Sequence, residues 1–418
     1  MDGSDRSHAA AVNVYFHTFG CKSNQYDTEL VRQAFADAGA TVVEAPGAAD
    51  LAVVNSCTVT HESESKLRRY VRQQARAGRD TVVMGCAAAL DRGALATLPR
   101  VRAVVGGADP ERVLRAAGYA NPRVDSRLRR FSGGARGWLK IQDGCDEHCT
   151  FCATTLARGA NRSRPVAAII AEARALARHH AELVITGVHI GTYGKDRGVG
   201  SGEQSETSLG ALLEALVAAV PEVRFRLSSV EATEVDDRIA RLLIEAPRHV
   251  AAHLHAPLQS AANPVLRRMG RHWYTAETYR ARIEWLATRL PVFGLGADVI
   301  AGFPGETSVQ HRATLDYIAA LPFTYLHVFP FSVRPDAPAA RLAGQLPEAA
   351  VRERARDLRA AGEAKASAYR ASRQGARADA VICGRQDGRI EALTQDYLTV
   401  YLSSHAWDGP PRLDLTVT

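Results

Sequence analysis

Six of the seven cysteines fall into two groups of three, and both groups restrict how this chain can fold. Three stand close together with the spacing C-x3-C-x2-C; this tight triplet comprises Cys145, Cys149 and Cys152. Three are dispersed over the N-terminal part; this spread triplet comprises Cys21, Cys57 and Cys86. A single site for the spread triplet requires a fold that brings three distant loops together.

The N-terminal region, residues 12–119, alternates short apolar runs with helical patterns, which predicts a doubly wound α/β domain with a parallel sheet. The predicted strands are 12–16, 51–55 and 81–84, and the predicted helices are 25–38, 62–77 and 88–98. Each cysteine of the spread triplet follows one of these strands. Because parallel strands end at one edge of a sheet, where ligands bind in such folds, we expect the three thiols to meet there.

A second series of strands and helices predicts a partial (β/α)6 barrel over residues 138–365, after a basic linker at 120–137. The predicted strands are 138–142, 183–186, 224–230, 253–258, 293–300 and 325–329, with helices such as 166–178, 209–220 and 276–289. Six units fit an open barrel better than a closed eightfold one. A polar helix at 348–370 precedes a small β-domain, residues 366–418, with strands at 378–383, 389–393 and 397–402.

The tight triplet follows the first predicted barrel strand, at the end where barrel active sites form. Three thiolates on a [4Fe–4S] cluster leave one iron free to bind a small molecule. A zinc knuckle is the alternative, but structural zinc takes four ligands. The nearby fourth candidate, His148, stands directly beside Cys149, which makes joint chelation awkward. The spacing therefore favours a cluster over zinc.

Charge and hydropathy give the cellular context. Residues 100–140 hold ten basic residues against three acids, an excess equal to the net charge of the whole chain, +7. Such a basic stripe either neutralises nucleic-acid phosphates or is a solvated linker. The charge alone does not distinguish these two interpretations. No apolar run suffices to cross a membrane, and residues 1–11 lack a signal core. A cytoplasmic location, where thiols stay reduced, is the expectation.

The motifs around the cysteines resemble those of a known enzyme family. The tight triplet with Phe151 before its last cysteine is similar to the radical S-adenosylmethionine (SAM) superfamily, and the spread triplet narrows the resemblance to the methylthiotransferases. The matching segments are HTFGCKSNQ at 17–25, NSCTVT at 55–60, GC at 85–86, ITGVHIG at 185–191, LSSVE at 227–231 and GFPGE at 302–306. The resemblance covers about residues 12–402 and extends to the small β-domain, which looks like the TRAM RNA-binding appendage.

Within the family, the segments GCKSNQ and TGVHIG resemble the MtaB branch most. That branch implies 2-methylthiolation of N6-threonylcarbamoyladenosine at position 37 of tRNA. The alternatives are action on isopentenyladenosine in tRNA (the MiaB branch) or on an aspartate of a ribosomal protein (the RimO branch). From another class, a non-catalytic metal-binding RNA module remains open.

The resemblance implies two [4Fe–4S] clusters and SAM as cofactors. The tight triplet would hold the cluster whose open iron binds SAM and cleaves it to a 5′-deoxyadenosyl radical. The spread triplet would hold an auxiliary cluster whose open iron carries the sulfur to be transferred. One SAM would methylate this sulfur and a second would activate C2 of the adenine. The implied partners are the tRNA anticodon loop, a flavodoxin- or ferredoxin-type electron donor and a sulfur source.

Further residues are assigned with the same resemblance. The candidate SAM contacts are Phe151, Gly187, Ser229, Glu231 and Gln259, although a glycine, serine or glutamate at a strand end is equally often a turn or helix cap. Residues 363–418 carry seven basic and seven acidic residues. Because this β-domain is neutral, we expect part of the phosphate contact elsewhere, at Arg123, Arg127, Arg129, Arg130, Lys66, Arg68, Arg69 and Arg72.

Four local features depart from the family pattern or lie outside the two triplets. The loop at 153–157 lacks the family's usual proline, and Ala261 with Ala262 replaces a usual Gly-Ser, which puts fine positioning of SAM and substrate in question. His253 and His255 lie two apart on a predicted strand and read as interior barrel histidines rather than a metal pair. Cys383 reads as a small buried residue.

Overall fold

The computed structural model describes residues 12–58, 61–197, 207–402 and 407–418. The chain divides into two compact units. The first comprises Met1–Leu128 with Leu156–Gly159, and the second comprises Arg129–Thr155 with Ala160–Thr418. Across the described ranges, no helix is long and apolar enough to cross a membrane. The expectation for residues 1–11 lies outside the described residues.

The first unit contains a five-stranded parallel sheet in the order β2-β1-β3-β4-β5. Its strands are β1 (Asn13–Thr18), β2 (Thr41–Val42), β3 (Leu51–Ser56), β4 (Asp80–Gly85) and β5 (Val101–Gly106). Its helices are α1 (Lys22–Asp37), α2 (His61–Arg76), α3 (Cys86–Ala89) and α4 (Pro110–Ala116). The predicted doubly wound sheet is confirmed.

Both faces of this sheet are buried, which explains why its strands are apolar without alternation. On one face, side chains of β1, β3 and β4 pack against α1 and α4; they include Val14, Phe16, Val53, Val82, Val31, Phe35 and Val113. On the other face, Ala52, Val54 and Val83 pack against Leu67 and Val71 of α2. The strand ends, with their loops, are left to form a site.

The prediction of a helix at 88–98 is wrong, because α3 ends at Ala89. The Asp91 carboxylate accepts hydrogen bonds from the backbone N–H groups of Gly93 and Leu95, at 3.2 and 3.1 Å, and so stabilises a turn. Helix α4 was not predicted. Its start carries a standard signal, since Asp109 caps the Arg112 N–H at 3.0 Å and Pro110 occupies the first turn.

In the second unit, six parallel strands form two three-stranded sheets with the orders β10-β9-β6 and β11-β12-β13. They are β6 (Arg136–Lys140), β9 (Glu182–Thr186), β10 (Arg224–Leu227), β11 (His253–His255), β12 (Gly294–Ala301) and β13 (Tyr325–Pro330). Parallel bridges from Phe225 to Val250 and from Ser229 to His255 connect β10 with β11. This series of six confirms the predicted partial barrel.

Helices separate these strands, and a short antiparallel pair, β7 (Gln142–Asp143) with β8 (Arg162–Ser163), follows β6. The helices are α5 (Thr154–Arg158), α6 (Val166–Ala177), α7 (Leu209–Ala219), α8 (Asp237–Glu245), α9 (Asn263–Arg268), α10 (Ala276–Ala287), α11 (Ser308–Ala320) and α12 (Glu348–Arg373). By its contacts, the last part of α5 belongs to the first unit. Strand β6 starts at Arg136, inside the predicted linker.

The predicted C-terminal β-domain is an antiparallel sheet in the order β16-β15-β14-β17. Its strands are β14 (Arg377–Gln386), β15 (Arg389–Thr394), β16 (Thr399–Leu402) and β17 (Arg412–Thr416). Strand β17 was not predicted. The sheet belongs to the same compact unit as the barrel.

A buried charge network joins this sheet to the first residues of the barrel strands. The Glu182 carboxylate, fully buried, accepts from Arg136, Arg224 and Arg226 at 2.6–3.0 Å. Arg224 donates to the Asp379 carbonyl at 2.7 Å, and Arg226 donates to the Thr394 carbonyl at 2.8 Å. Because three guanidinium groups surround it, the pKa of Glu182 lies well below its usual range despite burial.

His180 makes this unit sensitive to acid. The imidazole is buried, accepts the Phe131 N–H at 3.1 Å and lies 3.3 Å from the Gly134 carbonyl. Burial lowers the pKa of His180 to about 4, with His179 and Arg130 as lesser causes. In the unfolded chain this imidazole is therefore protonated near pH 6.5, whereas in the folded unit it is protonated only near pH 4.

We predict that the free energy of unfolding of the second unit falls by about 2 kcal/mol from pH 7 to pH 5 through this residue. H180Q keeps an acceptor for the Phe131 N–H and removes this contribution. Tryptophan fluorescence during denaturant unfolding reports on this unit, since all four tryptophans lie in it. H272Q, at an exposed histidine of the same unit that does not contribute to the shift of the His180 pKa, is the matched control. Equal acid sensitivity of wild type and H180Q would contradict the assignment.

Candidate functional site: two cysteine triplets

The spread triplet lies at the carboxyl edge of the first unit's sheet. Cys21 occupies the N-cap position of α1 after β1, Cys57 directly follows β3, and Cys86 begins α3 after β4. The sulfurs of Cys21 and Cys86 each lie 3.8 Å from the same atom, Asn24 Oδ1. A methyl group on Gly20 would lie 3.1 Å from the Cys57 sulfur. The structure therefore brings these three thiols together.

Asn24 holds the loops of this site in register. The Asn24 side-chain amide donates to the backbone carbonyls of Phe19 and Ser56, at 2.9 and 3.0 Å. The Asn55 side-chain amide donates to the backbone carbonyl of Asn24 at 2.8 Å. Gly85 has φ +95°, and a Cβ there would lie 2.1 Å from Asn55 Oδ1. Only glycine allows β4 to turn into Cys86 so close to the neighbouring loop.

Arg158, which sequence reasoning did not place at a site, contacts this triplet. The segment Leu156–Gly159 counts with the first unit, and Arg158 Nε lies 3.3 Å from the Cys86 sulfur. Its Nη2 lies 2.9 Å from Asp27 Oδ2. No sequence signal links Arg158 with Cys86, because 72 residues separate them.

The tight triplet occupies the loop between β7 and α5 in the second unit, and each of its half-buried thiols has a polar neighbour. The Cys145 sulfur lies 3.7 Å from His189 Nδ1, and the Cys149 sulfur accepts from Arg271 Nη1 at 3.5 Å. The backbone N–H of Thr154 donates to the Cys152 sulfur at 3.3 Å. Donors at each sulfur stabilise the thiolate form that metal binding requires.

His189 lies within the segment ITGVHIG but was not predicted to be a site residue. Burial would lower its pKa, but hydrogen bonds to Cys145 and Glu234 outweigh burial and raise the pKa to about 10. The imidazole Nε2 lies 2.9 Å from Glu234 Oε1. His189 is therefore a cation at neutral pH, held against the Cys145 sulfur by an acid on the far side of the ring.

Glu231, a predicted SAM contact, forms a buried ion pair with Arg271, and the Trp273 indole N–H also donates to it. Arg271 Nε donates to the Tyr274 hydroxyl at 3.0 Å, which donates to the Leu258 carbonyl at 2.7 Å. Burial raises the pKa of Glu231, and Arg271 opposes this effect. The acid thus anchors the guanidinium that contacts Cys149.

The other predicted SAM contacts lie in varied surroundings. The Phe151 ring packs edge-on against Phe303, with centroids 6.4 Å apart. A Cβ on Gly187 would lie 2.7 Å from Gln142 Oε1, so this glycine admits the Gln142 side chain. Ser229 is exposed, and Gln259 is buried with φ +61° in the left-handed region. Their contact with SAM stays a prediction.

The histidines of β11 form a hydrogen-bonded network. Both His253 Nε2 and His255 Nδ1 lie within 3.0 Å of the Tyr325 hydroxyl, and His255 Nε2 lies 2.9 Å from Asp298 Oδ1. His327 Nδ1 lies 3.3 Å from the same carboxylate oxygen. Each of these imidazoles therefore has a hydrogen-bonding partner, which agrees with interior barrel histidines.

The predicted RNA-contacting side chains are exposed in both units. Those in the first unit are Lys66, Arg68, Arg69 and Arg72 of α2 with Arg123 and Arg127, and those in the second are Arg129 and Arg130. Lys66 forms an i,i+4 pair with Glu62 at 2.8 Å. Their exposure allows contact with phosphate groups, and that contact stays a prediction.

Both triplets have a donor set that fits an iron–sulfur cluster. Each offers three sulfurs, which leaves an open iron on a [4Fe–4S] cluster. Each also has a guanidinium in contact with one sulfur: Arg158 with Cys86 and Arg271 with Cys149. Burial raises the pKa of Cys86 to about 11 and that of Cys149 to about 12, with these arginines opposing. Cluster binding must therefore release protons from the thiols.

Two family models match different parts of the chain, and each part carries one cysteine triplet. Residues 13–106, with the spread triplet, match the family described as Uncharacterized protein family UPF0004. Residues 139–318, with the tight triplet, match the radical SAM superfamily. Among solved structures, the radical SAM methyltransferase TsrM from Kitasatospora setae has a similar fold, with a TM-score of 0.58 and 17% identity over 79% of this chain and 77% of that one.

Curated relatives are similar over most of their length. The threonylcarbamoyladenosine tRNA methylthiotransferase MtaB of Bacillus subtilis is 36% identical over 86% of this chain and 82% of its own. The MtaB proteins of Thermotoga maritima and Aquifex aeolicus are 34% and 31% identical, covering 82% and 93% of this chain and 80% and 96% of their own. The family predicted from the motifs is confirmed: this chain is a radical SAM enzyme and belongs to the MtaB methylthiotransferases.

Proposed function

We propose that this enzyme inserts a methylthio group at C2 of N6-threonylcarbamoyladenosine at position 37 of tRNA, using SAM and two [4Fe–4S] clusters. The observation that carries the proposal is the convergence of the spread triplet around Asn24. A second thiol site, distinct in sequence from the radical SAM triplet, is what sulfur insertion needs beyond SAM cleavage. The names of the MtaB relatives support the nucleoside.

In this proposal, Cys145, Cys149 and Cys152 hold the cluster that binds SAM. Bound there, the cluster supplies the electron for reductive cleavage of the SAM sulfonium. His189 and Arg271 place positive charge against two of its sulfurs, and Glu234 and Glu231 hold those cations in position. These residues therefore orient the ligand loop, and Arg271 opposes the rise that burial causes in the pKa of the Cys149 thiol.

In this proposal, Cys21, Cys57 and Cys86 would hold the auxiliary cluster, which would supply the site for the sulfur to be transferred. Asn24 and Gly85 fix the spacing of the loops that carry these ligands. Cys57 and Cys86 are buried, whereas Cys21 is exposed. One side of the site is thus open for delivery of sulfur.

The proposal also includes partners and place. A tRNA anticodon loop would contact the exposed arginines at 123–130 and the basic face of α2, with a TRAM-like role for the C-terminal sheet. A flavodoxin- or ferredoxin-type donor would supply electrons, and a separate source would supply sulfur. These partners imply action in the cytoplasm.

The nucleoside is tested by mass spectrometry of tRNA digests from cells with and without the gene. We expect the 2-methylthio derivative of threonylcarbamoyladenosine to disappear on deletion and to return when the wild-type gene is supplied. Supplying C57A should not restore it. Loss of 2-methylthio-isopentenyladenosine, or of a methylthio group on a ribosomal protein aspartate, would contradict the nucleoside and point to the MiaB or RimO activity.

The roles of the two triplets are distinguished by single-cysteine variants of the anaerobically reconstituted enzyme. We expect C145A to lose both 5′-deoxyadenosine formation and methylthiolation. C57A should still cleave SAM reductively but make no methylthiolated product, because only the sulfur-carrying site is disrupted. C383A removes the one cysteine that belongs to neither triplet, which lies in β14. It is the matched control and should keep both activities. Product formation by C57A would refute the auxiliary role.

The RNA contact is tested by charge reversal at Arg129 and Arg130. We expect the double variant R129E/R130E to bind tRNA more weakly and to lower the slope of log affinity against log salt by about 1–2, since each lost phosphate contact removes nearly one released counterion. R238E/R241E on α8 changes the charge equally and is the control. An unchanged slope in R129E/R130E would contradict the RNA contact and would indicate that this segment is only a linker.

A further inference from the structure

A buried guanidinium lies against the spread triplet. The Arg158 side chain is 9% exposed, and its Nε lies 3.3 Å from the Cys86 sulfur. Its Nη2 lies 2.5 Å from Asn24 Oδ1, the atom that also lies 3.8 Å from the sulfurs of Cys21 and Cys86. Arg158 thus contacts the candidate ligand Cys86 directly, and it reaches the candidate ligand Cys21 through the side-chain amide of Asn24.

The arrangement exceeds what an ordinary ion pair requires. Asp27, at 2.9 Å, balances the single charge of Arg158 through Nη2, yet Nε is directed at the sulfur. A guanidinium has five N–H donors in a fixed fork, so anchoring one edge on Asp27 and Asn24 fixes where the Nε–H points. The carboxylate therefore orients Arg158 toward Cys86.

A guanidinium in this position affects a cluster in two ways. An N–H donor to a ligand sulfur and a nearby positive charge both favour the more negative, reduced state. Burial strengthens both effects, because solvent does not screen the charge. The side chain also restrains the direction from which the Cys86 thiolate binds iron.

We propose that Arg158 is a positioning residue of the auxiliary cluster: it orients the Cys86 thiolate and raises the reduction potential of the cluster held by the spread triplet. The inference rests on the proposed auxiliary cluster. Arg158 follows Cys152 closely in the sequence, in the helix that begins after the tight triplet. One chain segment therefore supplies a ligand to the SAM-binding cluster and a cation to the other site.

The test uses the full chain with the tight triplet removed, C145A/C149A/C152A, so that only the spread triplet is left to bind a cluster. After anaerobic reconstitution, iron and sulfide are measured, and the cluster is titrated with reductant while its EPR signal is followed. In this parent, R158Q should lower the equilibrium constant for one-electron reduction about tenfold, which equals about 59 mV. R158K keeps the positive charge but not the forked donor geometry, so its reduction potential should lie between those of the parent and R158Q.

R115Q is the matched control, since it removes one positive charge from an exposed position on α4 in the same unit. Its potential should equal that of the parent. If the parent itself binds no cluster, the proposed auxiliary site is wrong. If the parent binds one and R158Q has the same potential, the role of Arg158 is wrong.

Should R158Q take up no iron, R158K decides the question. A potential below that of the parent supports the inference, and an unchanged potential overturns it. A merely structural ion pair of Arg158 with Asp27 would lower protein stability in these variants without moving the potential.

Discussion

Parallel pairing of β1, β3 and β4 is the constraint on which the spread triplet depends. Because the three strands run in the same direction and pair in register, their carboxyl ends reach one edge of the sheet. Three cysteines whose successive separations in the sequence are 36 and 29 residues therefore share a site around Asn24. An antiparallel arrangement of the same strands would place one of the three loops at the opposite edge.

The two thiol sites share a way of handling charge. Each has a buried arginine in contact with one sulfur, and each arginine is anchored by a buried carboxylate: Arg158 by Asp27, and Arg271 by Glu231. Such a pair costs desolvation that its own attraction only partly offsets. Its retention at both sites is understandable if the guanidinium serves the sulfur as well as the carboxylate.

Much of the fold follows from local patterns, and the failures have identifiable causes. Apolar runs located β1, β3, β4 and all six barrel strands to within a few residues, because buried parallel strands need continuous apolar side chains. The run at 88–98 reads as helical, yet the Asp91 turn competes with the helix. Strands β5 and β17 escaped prediction, since both are largely half-buried or exposed and lack the pattern of a central strand.

The sequence by itself determined the two cysteine groups, the alternation of strands and helices and the family, since cysteine spacing and strand–helix alternation are local properties. Only the tertiary structure decided which cation contacts which sulfur. Arg158 is 72 residues from Cys86, and Arg271 is 122 residues from Cys149. Spacing of this length carries no signal of contact. Such pairs arise from the packing of elements whose own patterns are set by burial, and the charges meet as a consequence of that packing.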